Sequence, residues 1–123
     1  MSDAGSATTV TVLAYAPDLM DRSRLSSAAA AAAPPLELRF AADGQALLAG
    51  AAGADVAVVD LARSDALDVL ASLAVAVPVV AFGSHVDRER LDSARAAGCR
   101  LVLARSRFFA DVTGALTAVR SSG

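Results

Sequence analysis

The sequence predicts a single α/β domain, with a parallel sheet covered by helices on both faces. Three observations carry this. Apolar, β-branched runs alternate with helix-forming stretches five times along the chain. The central run, "DVAVVD", is continuously apolar rather than alternating, the pattern of a strand buried on both faces. The connections are short, and no linker is long enough to split 123 residues into two cores.

Residues 1–8 are small and polar, and we expect a flexible lead before a domain spanning residues 9–120. "TVTVLAY", Thr9 to Tyr15, is the first strand, stopped by Pro17 and Asp18. "DLMDRSRLSSAAAAAA" has high helix propensity. Asp18 is its expected cap, Leu19, Arg22 and Leu25 share one side, and Pro34 and Pro35 end it. "LELRFA", Leu36 to Ala41, alternates apolar and charged residues, which suits a half-exposed edge strand. Asp43 and Gly44 turn the chain into "QALLAGAAG", a short helix ending at Gly53. The buried strand "DVAVVD" follows and closes on Asp60.

"SDALDVLASLA", Ser64 to Ala74, is the third helix, with Ser64 or Asp65 as cap. Val77 and Pro78 lead into "VVAF", the fourth strand, and Gly83 and Ser84 turn. "DRERLDSARAAG", Asp87 to Gly98, is a helix with Asp87 at its N-cap and Leu91, Ala94 and Arg95 at i, i+3, i+4. "RLVLA", Arg100 to Ala104, is the fifth strand. "SRFFADVTGALTAVR" reads as one last helix, with Phe108, Val112, Ala115 and Val119 recurring at helical spacing.

Composition narrows the chemistry. Apolar residues make up 55% of the chain but aromatics only 4%, without Trp, so the core must rest on Val, Leu and Ala. The net charge of −2 disfavours broad electrostatic binding to nucleic acid. Every basic side chain is Arg, so no site can use a lysine amine. Cys99 is the only cysteine; an intrachain disulfide is excluded, and a reducing cytoplasm is the expected location. Cys99 and His85 are too few for a typical zinc site. The start lacks the basic and apolar regions of a signal peptide, and no apolar run reaches the length of a membrane span.

In sheets of this kind, sites form at the carboxyl ends of strands, near the switch in strand order. Those ends are Tyr15 and Ala16, Ala41 and Ala42, Asp60, Phe82 to His85, and Ala104 and Arg105.

Two stretches suggest more. "DVAVVDLARSD" and "VPVVAFGSHVDRERLDSARAAGCRLVLARS" place an acid at the end of the third strand, Ala-Gly before the last strand and a basic residue after it. From Thr9 to Arg120 the chain resembles the receiver domain of bacterial response regulators, of the CheY-like kind. The resemblance implies a flavodoxin-like (βα)5 doubly wound sandwich, with strand order 2-1-3-4-5. It also implies a phosphoacceptor at Asp60, served by two acids that hold Mg²⁺, a hydroxyl on strand four, a lysine after strand five and an aromatic on strand five. Those positions fall on Tyr15 and Ala16, on Gly83 (with Ser84 following), on Arg105 and near Val102.

Tyr15 and Ala16 offer no carboxylate to Mg²⁺, and without it three phosphoryl oxygens would approach Asp60 unneutralised. The expectation is therefore a degenerate pseudo-receiver without enzymatic activity or cofactor. It would act as a protein–protein interaction module in two-component signalling. Asp60 would then end the strand, by capping the next turn or by pairing with Arg105. Two alternatives remain open. One is a phospho-accepting receiver using Asp60 with Mg²⁺. The other is a flavodoxin-like binder of a small ligand in the strand-end cleft of Tyr15, Ala16, Gly83, Ser84, His85 and Arg105. Against the latter, "YAPDLM" has no glycine and matches no dinucleotide fingerprint.

His85 is expected to be a loop residue near the cap of the fourth helix; a general base or pH sensor is the sharper reading. Cys99 is expected to be a small buried filler. The fourth helix, fifth strand and last helix (α4-β5-α5 in a five-helix count) would carry Arg88, Arg95, Arg107, Phe108 and Asp111. Mixed charges beside an aromatic suit a homodimer or another protein partner. For "RSRFF", burial of both rings under the last helix is the competing expectation.

Overall fold

Five parallel strands form one sheet in the computed structural model, which describes residues 9–121. The expected lead, residues 1–8, lies outside the described residues. The strands are β1 (Thr11–Tyr15), β2 (Glu37–Phe40), β3 (Val56–Asp60), β4 (Val79–Gly83) and β5 (Leu101–Ala104). The helices are α1 (Leu19–Ala31), α2 (Gly44–Gly50), α3 (Ala66–Ala76), α4 (Arg88–Ala96), α5 (Arg105–Ala110) and α6 (Val112–Ser121), with one 3₁₀ turn at Ala51–Gly53. The strand order is β2-β1-β3-β4-β5, so the doubly wound order 2-1-3-4-5 is the one observed. The winding reverses between β1 and β3, where Tyr15 lies beside Val59. Asp60 lies beside Phe82, and Gly83 beside Ala104.

Strand period two divides the core into two layers. Leu13, Tyr15, Ala57, Val59, Val79 and Ala81 face a layer with Leu47, Leu70, Leu73 and Leu91, from α2, α3 and α4. Val12, Ala14, Val56, Val58, Val80 and Phe82 face the opposite layer with Leu25, Phe108, Val112, Leu116 and Val119, from α1, α5 and α6. β3 and β4 are buried along their whole length, as their unbroken apolar runs require. β2 is the half-exposed edge strand expected from its alternation.

Acidic caps start three helices. Asp18 accepts from the backbone N–H groups of Met20 and Asp21, Asp43 from Ala46, and Asp87 from Arg90. Gly98 turns the chain after α4 at φ +106°, a conformation that side chains with a Cβ rarely adopt.

Two expectations are corrected here. α1 does not bury a face of Leu19, Arg22 and Leu25. Leu19 is 81% exposed, and the buried stripe is Asp21, Leu25 and Ala29, at i, i+4, i+8. The last helix is two helices. Asp111 is non-helical (φ −155°, ψ 77°), and its Oδ1 accepts from Gly114 N at 2.9 Å, which ends α5 and starts α6.

The aromatic rings gather at one end of the sheet. Tyr15, Phe40 and Phe82 lie at or near the carboxyl ends of β1, β2 and β4, and Phe108 and Phe109 follow β5 on α5. Phe82 stacks face to face on Phe108 at 5.0 Å, and Phe109 sits edge-on to both, at 5.2 and 5.0 Å.

Candidate functional site at the carboxyl end of the sheet

Asp60 ends β3 with its side chain only 7% exposed. Its Oδ1 accepts from Ala62 N at 2.9 Å, so it caps the next turn. Arg63 Nε stands 4.0 Å from Oδ2. Burial holds the Asp60 carboxyl above the ordinary carboxylate range; the Ala62 N–H and the charges of Arg63 and Arg105 pull the other way.

Arg105 does not pair with Asp60. It donates from Nη2 to Oδ1 of Asp21, a carboxylate fully buried under α1. Of the two roles expected for Asp60, capping the next turn is the one observed and pairing with Arg105 is not, because α1 is rotated so that Asp21 turns inward and takes the arginine. The other oxygen of Asp21, Oδ2, has no hydrogen-bond partner among the described residues. Asp21 is the site residue that sequence reasoning missed. The available signal was an acid in register with Leu25 and Ala29, facing an arginine at a strand end.

Tyr15 closes β1. Its hydroxyl donates to Asp65 Oδ1 at 2.7 Å, while Asp65 Oδ2 accepts from Gly44 N at 3.0 Å. Asp65 thus precedes α3 without capping it by its side chain. It ties β1, the start of α2 and the start of α3 together. Burial, and then the neighbouring carboxylate, push the Tyr15 hydroxyl up to about 12. The hydrogen bond from Tyr15 holds Asp65 below the ordinary carboxylate range. Ala16 is buried, and its carbonyl accepts from Arg22 Nε at 3.3 Å.

At Gly83, an added Cβ would stand 3.3 Å from Leu61 Cβ and 3.5 Å from Leu91 Cδ2, so leucines fill the space beside the end of β4. Ser84 and His85 are exposed in the following turn. Ser84 Oγ accepts from Val86 N at 3.4 Å; His85 makes no hydrogen bond or ion pair among the described residues. Arg90 reaches back from α4 and donates to the carbonyl of Leu61 at 2.7 Å. Asp60, Tyr15 and Arg105 are thus bonded within the chain, whereas His85 and one oxygen of Asp21 are not. Among the described residues, no group of three or more His, Cys, Asp or Glu is placed to hold a metal ion.

Of the expected contact residues, Arg88, Arg95, Arg107 and Asp111 are exposed, with Arg95 donating to Asp92 at 2.9 Å. Phe108 is corrected: it is 0% exposed and lies on the Phe82 ring, because its position on α5 points at the sheet. Phe109 is the partly exposed ring. Cys99 is half-buried, and burial pushes its thiol up to about 11, too high for a reactive thiolate at neutral pH. No helix among the described residues is long and apolar enough to cross a membrane.

No protein-family model and no curated protein matches the chain. Solved structures do, at low identity. The signal receiver domain of NarL from Mycobacterium tuberculosis superposes with a TM-score of 0.80 at 18% identity, covering 94% of this chain and 98% of that one. A response regulator from Thermotoga maritima gives 0.76 at 13% identity, over 92% and 98%. Chemotaxis response regulator CheY4 of Vibrio cholerae gives 0.73 at 21% identity, over 91% and 99%. The chain shares its fold with these response regulators and receiver domains.

Proposed function

We propose that this chain is a receiver-fold interaction module of bacterial signal transduction that works without Mg²⁺-dependent phosphorylation of Asp60. The observation that carries the reading is the Arg105–Asp21 pair. The cation after β5, where the resemblance puts the lysine that meets a phosphoryl group, is already engaged by a buried carboxylate of the same chain.

The donor set does not fit Mg²⁺, which takes near-octahedral oxygen ligands, usually carboxylates with several waters. The two carboxylates near the site, Asp60 and Asp21, are held by the Ala62 N–H, Arg63 and Arg105. Tyr15 and Ala16 add no third carboxylate. Leu61 packs against Gly83 in place of a hydroxyl donor to a phosphate. We derive no step through the metal.

With Asp60, Tyr15 and Arg105 engaged in bonds within the chain, the module's output is contact. The surface we assign to it is edge strand β5 with α4, α5 and α6, carrying Arg88, Arg95, Arg107 and Asp111, in a homodimer or with another cytoplasmic signalling protein. Charges of both signs on one face allow a self-complementary two-fold contact.

Two measurements test this. Incubation with acetyl phosphate and Mg²⁺ should leave the intact mass unchanged; a phosphate on Asp60 would overturn the metal-independent reading. Light scattering of the wild type and Arg95→Glu, alone and with candidate signalling partners, should show an assembly that the charge reversal weakens. A strictly monomeric protein that binds none of them would refute the interaction role.

A further inference from the structure

The sheet has a second edge, opposite β5. Its order is β2-β1-β3-β4-β5, so no strand lies beyond β2 among the described residues. The N–H groups of Glu37 and Ala41 donate inwards, to the carbonyls of Val10 and Ala14, at 2.8 and 2.9 Å. Backbone direction alternates along a strand, so Glu37, Arg39 and Ala41 turn their backbone groups to β1, and Leu38 and Phe40 turn theirs outwards. We propose that this chain pairs with a second copy of itself through β2, antiparallel and centred on Leu38, which joins two five-stranded sheets into one.

Charge fixes the register. A two-fold axis at Leu38 lets that residue exchange both backbone hydrogen bonds with its own counterpart. It sets Glu37 opposite Arg39 of the second copy, and Arg39 opposite Glu37 of the second copy. Both pairs fall at non-hydrogen-bonded positions, where facing side chains come closest. Centring the pair on Glu37 or on Arg39 instead would set two like charges face to face. Within one protomer Arg39 donates to Glu37 at 2.7 and 2.9 Å, with the two side chains 59% and 44% exposed. In the dimer the four groups would alternate in sign. Edge strands are commonly guarded by charge. Here the guard carries both signs two residues apart, so it repels a shifted copy and accepts one in register.

Apolar surface adds to this. Leu36, Leu38 and Phe40 pack on the α1 side of the sheet and stay only half-buried there. The same axis lays Leu38 beside Leu38 of the second copy, and Leu36 beside Phe40 of the second copy, so each covers apolar area that one protomer leaves open. Pro34 and Pro35 stand just before the strand; they have no N–H to donate, which stops the pairing from running further towards the N-terminus. A four-residue strand makes a small contact, so the dimer is a weak one that fills with rising concentration.

Sedimentation velocity of the full chain over a concentration series tests this, in the Arg95→Glu background that weakens the β5 face. A monomer–dimer equilibrium should persist there and weaken with added salt. Adding Glu37→Arg, or Arg39→Glu, sets like charges across the axis and should raise the dimer Kd about tenfold. Mixed in equal amounts, the two variants should recover the original affinity as a heterodimer, because every facing pair is then of opposite sign. A residue that only steadies its own protomer would not be mended by mixing. Amide exchange at Leu38 should slow as concentration rises. A monomer at every concentration, a dimer indifferent to both variants, a mixture that fails to recover, or slowed exchange confined to β5 would each overturn the proposal. β2 and β5 are opposite edges of the sheet, so failure here leaves the β5 face standing, and a β5 face that binds nothing leaves this contact standing.

Discussion

Arg105→Met should be among the most damaging single changes at the strand ends. It keeps a long apolar stem against Phe82 and Phe109, whose ring centres lie 5.6 and 5.3 Å from the guanidinium carbon, but removes the charge. Asp21 is then left fully buried with neither oxygen in a side-chain ion pair. Breaking a buried pair from one side costs about 3–5 kcal/mol. Arg105 is partly exposed, so solvent screens the pair and the loss falls to or below the bottom of that range, about 2–3 kcal/mol. With a urea m-value of about 1.5–2 kcal/mol/M, the midpoint should fall by about 1–2 M. Asp21→Leu/Arg105→Met removes both charges and should recover to within about 1 kcal/mol of wild type, because an apolar pair avoids both desolvation costs. Urea titrations of the wild type, both single variants and the double at pH 7 close the cycle. A loss below about 0.5 kcal/mol for Arg105→Met, or a double variant as unstable as the two singles added, would refute the reasoning.

Tyr15 should resist ionisation until about pH 12, read by its ultraviolet absorbance. The folded value is raised, so the native state holds this proton more tightly; the related stability is present below the ordinary tyrosine value near 10 and is lost as pH rises towards 12. Tyr15→Phe should lower stability by about 1 kcal/mol at pH 7 and flatten that alkaline loss, with an unchanged slope counting against the Asp65 bond. Gly44→Ala places a Cβ 2.7 Å from Asp65 Oδ2 and should displace the carboxylate, so the Tyr15 absorbance midpoint should fall; an unmoved midpoint would contradict the clamp. Asp60 also has a raised folded value, so its ionisation works against the fold as pH rises past the ordinary carboxylate range. Asp60→Asn should therefore be neutral or stabilising at pH 7, and urea midpoints showing a loss of more than about 1 kcal/mol would contradict this.

The βα alternation was legible because each element's period is local, and the unbroken run of β3 could be read from six letters. Asp18 and Asp87 were legible as caps because a cap binds within three residues. Asp21 was not. The start of α1 offers Leu19 and Asp21 as rival inward residues, and the deciding partner, Arg105, lies 84 positions away. Asp65 reads as a cap by type, yet its bonds run to Tyr15 and Gly44, 50 and 21 residues back. Phe108 and Phe109 differ in exposure because helical neighbours point about 100° apart, and the break at Asp111 that sets the direction of α5 is marked by no apolar period. Local interactions leave a local trace in sequence, while a cross-sheet polar pair leaves only a faint one, such as an acid in register with Leu25 and Ala29.

The gathering of all four Phe and the one Tyr at the carboxyl end of the sheet, in a chain without Trp, has an optical consequence. Near-ultraviolet circular dichroism of this protein arises almost wholly from that end, and its intrinsic fluorescence from Tyr15 alone. The aliphatic remainder of the core is spectroscopically silent. Rearrangement at the strand ends can therefore be followed without a label, and its signal is not diluted by the opposite half of the domain. Far-ultraviolet dichroism reports the whole backbone. Divergence between the two signals during unfolding would show the strand-end region opening before the rest.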